Sequence, residues 1–146
     1  MFWGIVTALI SGTLMSVQGV FNSEVTRQTS IWVSASFVQA LALLVCIIAW
    51  FVTGREGSFA GIMEVKPIYM LSGGIMGAFI TYTVIQSMNM LGPATAVIFI
   101  FTMQIVVANL IELFGLFGAE KADFQWRKVL SLILIIVGII LFKNKD

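Results

Sequence analysis

Between Lys66 and Glu120 the chain carries one formal charge, Glu112, among apolar, small and uncharged polar residues. An ionised side chain in hydrocarbon costs about 2.5–3.5 kcal/mol on insertion scales, so such a group usually faces a partner, a cavity or a pathway. Left alone in a low-dielectric site the ionised form is disfavoured, so this carboxylate could take a proton or a cation, one excluding the other. Arg127 and Lys128 offer a second account, because they open the next apolar run on the same side of the membrane. A Glu112–Lys128 or Glu112–Arg127 ion pair would then pin two helices together. With its helix expected to end near Phe117, Glu112 would lie ~7–8 Å inside that end.

Uncharged polar residues recur at helical spacing. Gly4, Ser11 and Gln18 repeat every seven residues, with Asn22 one turn beyond. Tyr82, Gln86 and Asn89 fall within an arc of roughly 60°, and Gln104, Asn109 and Glu112 within roughly 140°. Gln39 stands near the middle of its run. Such amides either line a solute path or bond from helix to helix, the latter worth about 0.6 kcal/mol each. Tyr82 could offer an aromatic face to a cation or simply fill the core. Gly73 with Gly77, and Gly74 with Ala78, are spaced four apart, which lets a second helix approach closely.

Other chemistries lack their residues. The chain has no His and a single Cys, Cys46, so a metal site, an intrachain disulfide and conventional acid–base catalysis are not expected. No cofactor and no enzyme activity is indicated. A net charge of +1 without a basic cluster argues against nucleic acid as a partner.

The elements that must position these residues are membrane spans. Sixty per cent of the 146 residues are apolar and 10% are charged, with a mean hydropathy of +1.05; soluble domains are about 45–50% apolar and about 25% charged. About 20 helical residues cross a hydrocarbon core of ~30 Å, and five spans are predicted, over about 2–21, 31–52, 67–89, 93–117 and 126–142. Asn22-Ser23 and Arg27-Gln28 interrupt the first apolar run, and Gly54-Arg55-Glu56-Gly57 ends the second. Pro67 and Pro93 suit first helical positions, where a missing N–H is harmless. Gly92-Pro93 implies a tight turn, and Gly118-Ala119-Glu120 ends the fourth run. In the fifth only Val129 to Phe142 is uncharged, so Arg127 and Lys128 are expected to snorkel.

Trp3, Trp32, Trp50 and Trp126 fall at predicted span ends, where indole rings prefer the interface. Met1-Phe2-Trp3-Gly4 lacks the basic region of a signal peptide and is read as the start of a retained span. The whole chain, 1–146, is expected to be one domain. An odd number of spans puts the termini on opposite sides. Arg55, Lys66, Lys121, Arg127 and Lys128 then share one side, and Arg27, Lys143 and Lys145 the other. Five against three is a weak positive-inside bias, compatible with insertion in both orientations.

Several segments in order carry a family resemblance. These are Leu71-Ser72-Gly73-Gly74-Ile75-Met76-Gly77-Ala78, Leu91-Gly92-Pro93-Ala94-Thr95-Ala96, Gln104, and Ile111-Glu112-Leu113-Phe114-Gly115. With Gln18, Asn22, Ser36-Phe37 and Val137-Gly138 they resemble the YdcZ family, inner-membrane exporters of the drug/metabolite transporter superfamily, over essentially the whole chain. Glu112 stands where that family usually has Asp, and Met103 and Ala40 where it has Gly. The resemblance implies an all-α, polytopic half-transporter of five transmembrane helices. Duplicated upside down, such a unit gives a 5+5 inverted repeat.

The expectation is therefore a secondary, proton-coupled transporter of the bacterial inner membrane, exporting a small polar or cationic solute. It would work as an antiparallel homodimer or with a paired homologous subunit. Glu112, Gln104, Gln18, Asn22, Gln86 and Tyr82 would bind solute or proton, and Gly73, Gly74, Gly77 and Ala78 would pack helices. The alternatives are a passive pore and a non-transporting assembly subunit.

Overall fold

A computed structural model describes residues 1–143. Lys145, counted above toward the charge bias, lies outside them. Five α-helices follow in order: α1 (Phe2–Gln28), α2 (Ile31–Val52), α3 (Gly73–Leu91), α4 (Pro93–Phe114) and α5 (Trp126–Lys143). Short 3₁₀ segments at Phe59–Glu64, Ile68–Ser72 and Leu116–Gly118 complete the described residues. The chain divides into two units, Met1–Met90 and Leu91 onward.

Among the described residues four helical stretches are long and apolar enough to cross a membrane: Phe2–Gln28, Ile31–Val52, Ile68–Leu91 and Pro93–Phe114. The 18-residue α5, which carries Arg127, Lys128 and Lys143, is not among them.

Three span boundaries differ from expectation. The first helix does not stop at Phe21 but continues to Gln28. Asn22 and Ser23 are buried, so the apparent break is a polar contact between helices. The Ser34 hydroxyl donates to the Asn22 carbonyl at 3.1 Å, and the Ser23 hydroxyl donates to Asn89 Oδ1. Away from water such groups need partners, and here they find them on α2 and α3. Beyond them, Glu24 pairs with Arg27 at 3.5 Å and accepts from the Gln28 amide at 3.2 Å, supporting the last turn.

The third helix becomes α-helical only at Gly73. Pro67 takes an extended conformation and caps the 3₁₀ turn Ile68–Ser72 instead of opening the α-helix. Two consecutive glycines with poor helix propensity mark the change. Pro93, in contrast, occupies the first turn of α4, after Gly92 at φ 79°.

The fourth helix ends at Phe114, before the predicted Phe117. Gly115 adopts the left-handed conformation (φ 61°, ψ 40°) and its N–H bonds back to the Glu112 carbonyl at 3.3 Å, a glycine C-cap. Gly118 is one turn too late to act as the terminator. A side chain at Gly115 would be strained and would meet Lys121 Cβ at 3.3 Å. Gly115→Ala is accordingly expected to cost about 1 kcal/mol, measurable as a lowered unfolding midpoint in detergent. Gly138→Ala, with nothing within 4 Å, should show no such loss.

In the first unit α1 packs on α2, and α3 meets both. Ala35, Ile85 and Met88 are buried there. Trp32 stacks on Tyr82 with ring centroids 4.8 Å apart. The small residues of α3 do not make the close approach that their spacing predicts. A Cβ at Gly73 or Gly74 would meet nothing within 4 Å, and one at Gly77 would meet only Gln39 Nε2, at 3.5 Å. Gly73 and Gly74 occupy the exposed first turn of α3, beyond the reach of the neighbouring helices. The tight approach is at Gly19, against Met88.

Elsewhere large apolar side chains point outward along every helix, among them Leu9, Phe37, Leu44, Phe79, Phe101 and Leu134. In water such a shell would aggregate. Against acyl chains it is no burden, because lipid tails are as apolar as leucine.

Candidate functional site

Glu112 lies in the last turn of α4, two residues before its end. That turn carries the negative end of the helix dipole, an unfavourable position for a carboxylate unless a cation is near. The cation is Lys128, in the first turn of α5, whose Nζ donates to Glu112 Oε2 at 2.8 Å. Of the two bases considered from sequence, Lys128 makes the pair. Both side chains remain about half exposed, 41% for Lys128 and 50% for Glu112.

The early end of α4 also moves Glu112 outward. It stands at the boundary of the apolar span instead of ~7–8 Å within it, roughly one helical half-turn from the terminus.

The connection between α4 and α5 folds back over this turn. The Ala122 N–H donates to the Glu112 carbonyl at 2.9 Å, so one carbonyl receives both Gly115 and Ala122. This tie brings residues 122–125 against the helices and borders a half-open cavity of about 150 Å³. Val106, Leu110, Leu113, Val129 and Leu132 supply apolar walls from the two helices, and Phe124 closes one side from the loop. Phe124 in turn contacts Trp126 edge-to-face, with centroids 5.3 Å apart. Asn109, Glu112, Asp123, Gln125 and Lys128 add the polar lining. The ion pair therefore stands beside an opening, half exposed and not sealed in protein.

Asn109, Asp123 and Gln125 belong to this site although none was singled out from sequence as a binding residue. Asn109 shares the polar stripe of Glu112, which was the available signal. Its amide donates to the Ile105 carbonyl at 2.8 Å, one turn back. Asp123 and Gln125 read as an ordinary solvated connection.

The other expected residues are not in this cavity. Gln104 is exposed on α4 and does not line it. In the first unit, Gln18 and Asn22 border a groove between α1 and α2 that is otherwise apolar, lined by Leu14, Val38, Leu41 and Val45 among others. Asn22 is buried and Gln18 exposed. Gln86 is exposed on α3, its amide 3.7 Å from Met90 Sδ. Tyr82 is half-buried, with one ring face covered by Trp32. Among the described residues no group of acidic, Cys or His side chains could hold a metal ion.

A family model described as "Putative inner membrane exporter, YdcZ" matches residues 3–141. No curated protein and no solved structure matches the chain.

Proposed function

The chain belongs to the YdcZ family of inner-membrane exporters, and from that membership we propose a secondary transporter in which Glu112 exchanges a proton for a small polar or cationic solute. It is a membrane protein with several helices of spanning length, and its family's activity is export, a transport function and not a catalytic one. The observation that carries the proposal is the half-exposed Glu112–Lys128 pair at the edge of a cavity. A pair made only for stability gains nothing from an adjoining opening, whereas a loading site requires one. Arrival of a solute cation at Glu112 releases Lys128 to solvent at little cost, because half-exposed pairs are worth about 0–1 kcal/mol.

In this reading α5 is the fifth span, with Arg127 and Lys128 snorkelling from its first turn. The working unit is an antiparallel homodimer, for which the support is the weak division of basic residues between the two sides. Two copies related upside down give the inverted-repeat plan of many carriers, and rocking of one against the other gives alternating access. Gln104, Gln18, Asn22 and Gln86 supply hydrogen bonds to the solute along its path, and Tyr82 offers its uncovered ring face. Gly73, Gly74 and Ala78 contribute to the contact between copies.

The test is accumulation by proteoliposomes under an imposed pH gradient, using a uniformly ¹³C-labelled extract of small bacterial metabolites as the probe and mass spectrometry as the readout. At least one solute should accumulate about tenfold over protein-free vesicles, the ratio that one pH unit sustains by one-for-one exchange, equal to about 1.4 kcal/mol. Equal contents in the two kinds of vesicle would overturn the proposal.

A further inference from the structure

Two opposite charges, in contact and both half exposed, stand at the edge of the apolar cavity between α4 and α5. We propose that this cavity binds a zwitterion with an apolar body of about benzyl size, an α-ammonium carboxylate, its ammonium on Glu112 and its carboxylate on Lys128. The inference rests on the transporter reading only for calling this the loading site; the binding chemistry stands on the geometry.

Size sets the body. A cavity of about 150 Å³ lined by leucine- and phenylalanine-like groups accepts benzene, and this one has that volume, with Val106, Leu110, Leu113, Phe124, Val129 and Leu132 in its lining.

Charge sets the head. A lone cation would take Glu112 and only exchange one ion pair for another, with Lys128 turning to solvent or to Asp123 in the same lining. A lone anion would take Lys128 and leave Glu112 beside that second carboxylate. A zwitterion enters between the two partners and replaces one ion pair by two, so neither charge loses its counter-ion. The Glu112 contact is easily opened, since Lys128 holds it through a flexible four-carbon stem and is 41% exposed. Asn109 and Gln125 lie in the same lining and offer further hydrogen bonds to an ammonium or a carboxylate.

Three probes with the same ring separate the cases: L-phenylalanine, 2-phenylethylamine and 3-phenylpropanoate. Binding to the full chain in nanodiscs is read by tryptophan fluorescence, since Trp126 packs against the lining residue Phe124. Phenylalanine should bind about fivefold more tightly than either mono-charged analogue. Glu112→Gln should shift the preference toward phenylpropanoate, and Lys128→Met toward phenylethylamine. Equal or tighter binding of the amine or the acid to the unaltered protein would overturn the proposal. So would failure of all three to bind up to about 10 mM, or an unchanged order in both variants. If metabolite accumulation persists while the three probes are not distinguished, this proposal falls and the transporter reading stands. If the probes are distinguished but nothing accumulates, the reverse holds.

Discussion

Glu112→Gln is expected to abolish gradient-driven accumulation, reducing it at least about tenfold toward the level of protein-free vesicles. The amide keeps the shape of the carboxylate, replaces one acceptor oxygen by an NH₂ donor, and cannot exchange a proton for a cation. Folding should be nearly unaffected, because the pair with Lys128 is half exposed and such pairs contribute about 0–1 kcal/mol. The dipole argument points the same way, since removing a negative charge from the end of α4 relieves an unfavourable position. Activity and stability should therefore separate in this variant. Glu112→Asp provides the complement: it retains the charge, is shorter by one methylene, and should retain measurable transport. Undiminished accumulation in Glu112→Gln would remove this residue from the mechanism.

The largest effects on folding are expected where Gly19 meets Met88. A Cβ at Gly19 would fall on Met88 Cε and 2.6 Å from Met88 Sδ, with Val84 Cγ1 at 3.6 Å. Met88 is 3% exposed, so its flexible end has little room to turn away. Gly19→Val should cost about 1–3 kcal/mol by overpacking, seen as a lowered unfolding midpoint in detergent. At Gly12, on the same helix, nothing lies within 4 Å, and Gly12→Val should be neutral or slightly stabilising, because valine is the better helix former. Met88→Ala leaves a void and is destabilising alone, by about 2–5 kcal/mol. Combined with Gly19→Val it should cost less than the two single changes together, by about 1 kcal/mol or more, since the new methyls fill the vacated space. Strict additivity would mean that the two residues do not share that space.

Legibility from sequence followed the range of the determining interactions. The extent of α2 and the start of α4 depend on local signals, an apolar run and a Gly-Pro pair, and these could be read directly. The end of α1 could not, because Asn22-Ser23 looks like a break until Ser34 and Asn89 are brought to it. Those partners lie 12 and 66 residues away. The end of α4 was placed three residues late for a different reason. Gly115 and Gly118 both take positive φ, and local sequence does not say which of two glycines three residues apart ends the helix.

The candidate site divides in the same manner. Glu112 stood out as the one charge in a long neutral stretch, and its pairing with Lys128 was one of the accounts open from sequence. The cavity was not visible, because it exists only where the Ala122 N–H ties the connection back to the Glu112 carbonyl. With the connection folded, Asp123, Phe124 and Gln125 become lining; written out as sequence they are a polar link. The spacing of Gly73 and Gly77 signalled a tight crossing, but the side chain that fills such a space, Met88, faces Gly19 instead.

The outward apolar shell has a consequence for mutational tolerance. At lipid-facing positions such as Leu9, Phe37 or Leu134 one greasy residue serves about as well as another, so drift there should be nearly free. The few inward positions, Gly19, Ser23, Ser34, Ile85 and Met88, are held by specific neighbours and should resist change. A deep mutational scan of this chain would thus look inverted beside that of a water-soluble domain, with its large hydrophobic side chains permissive and its small and polar ones strict.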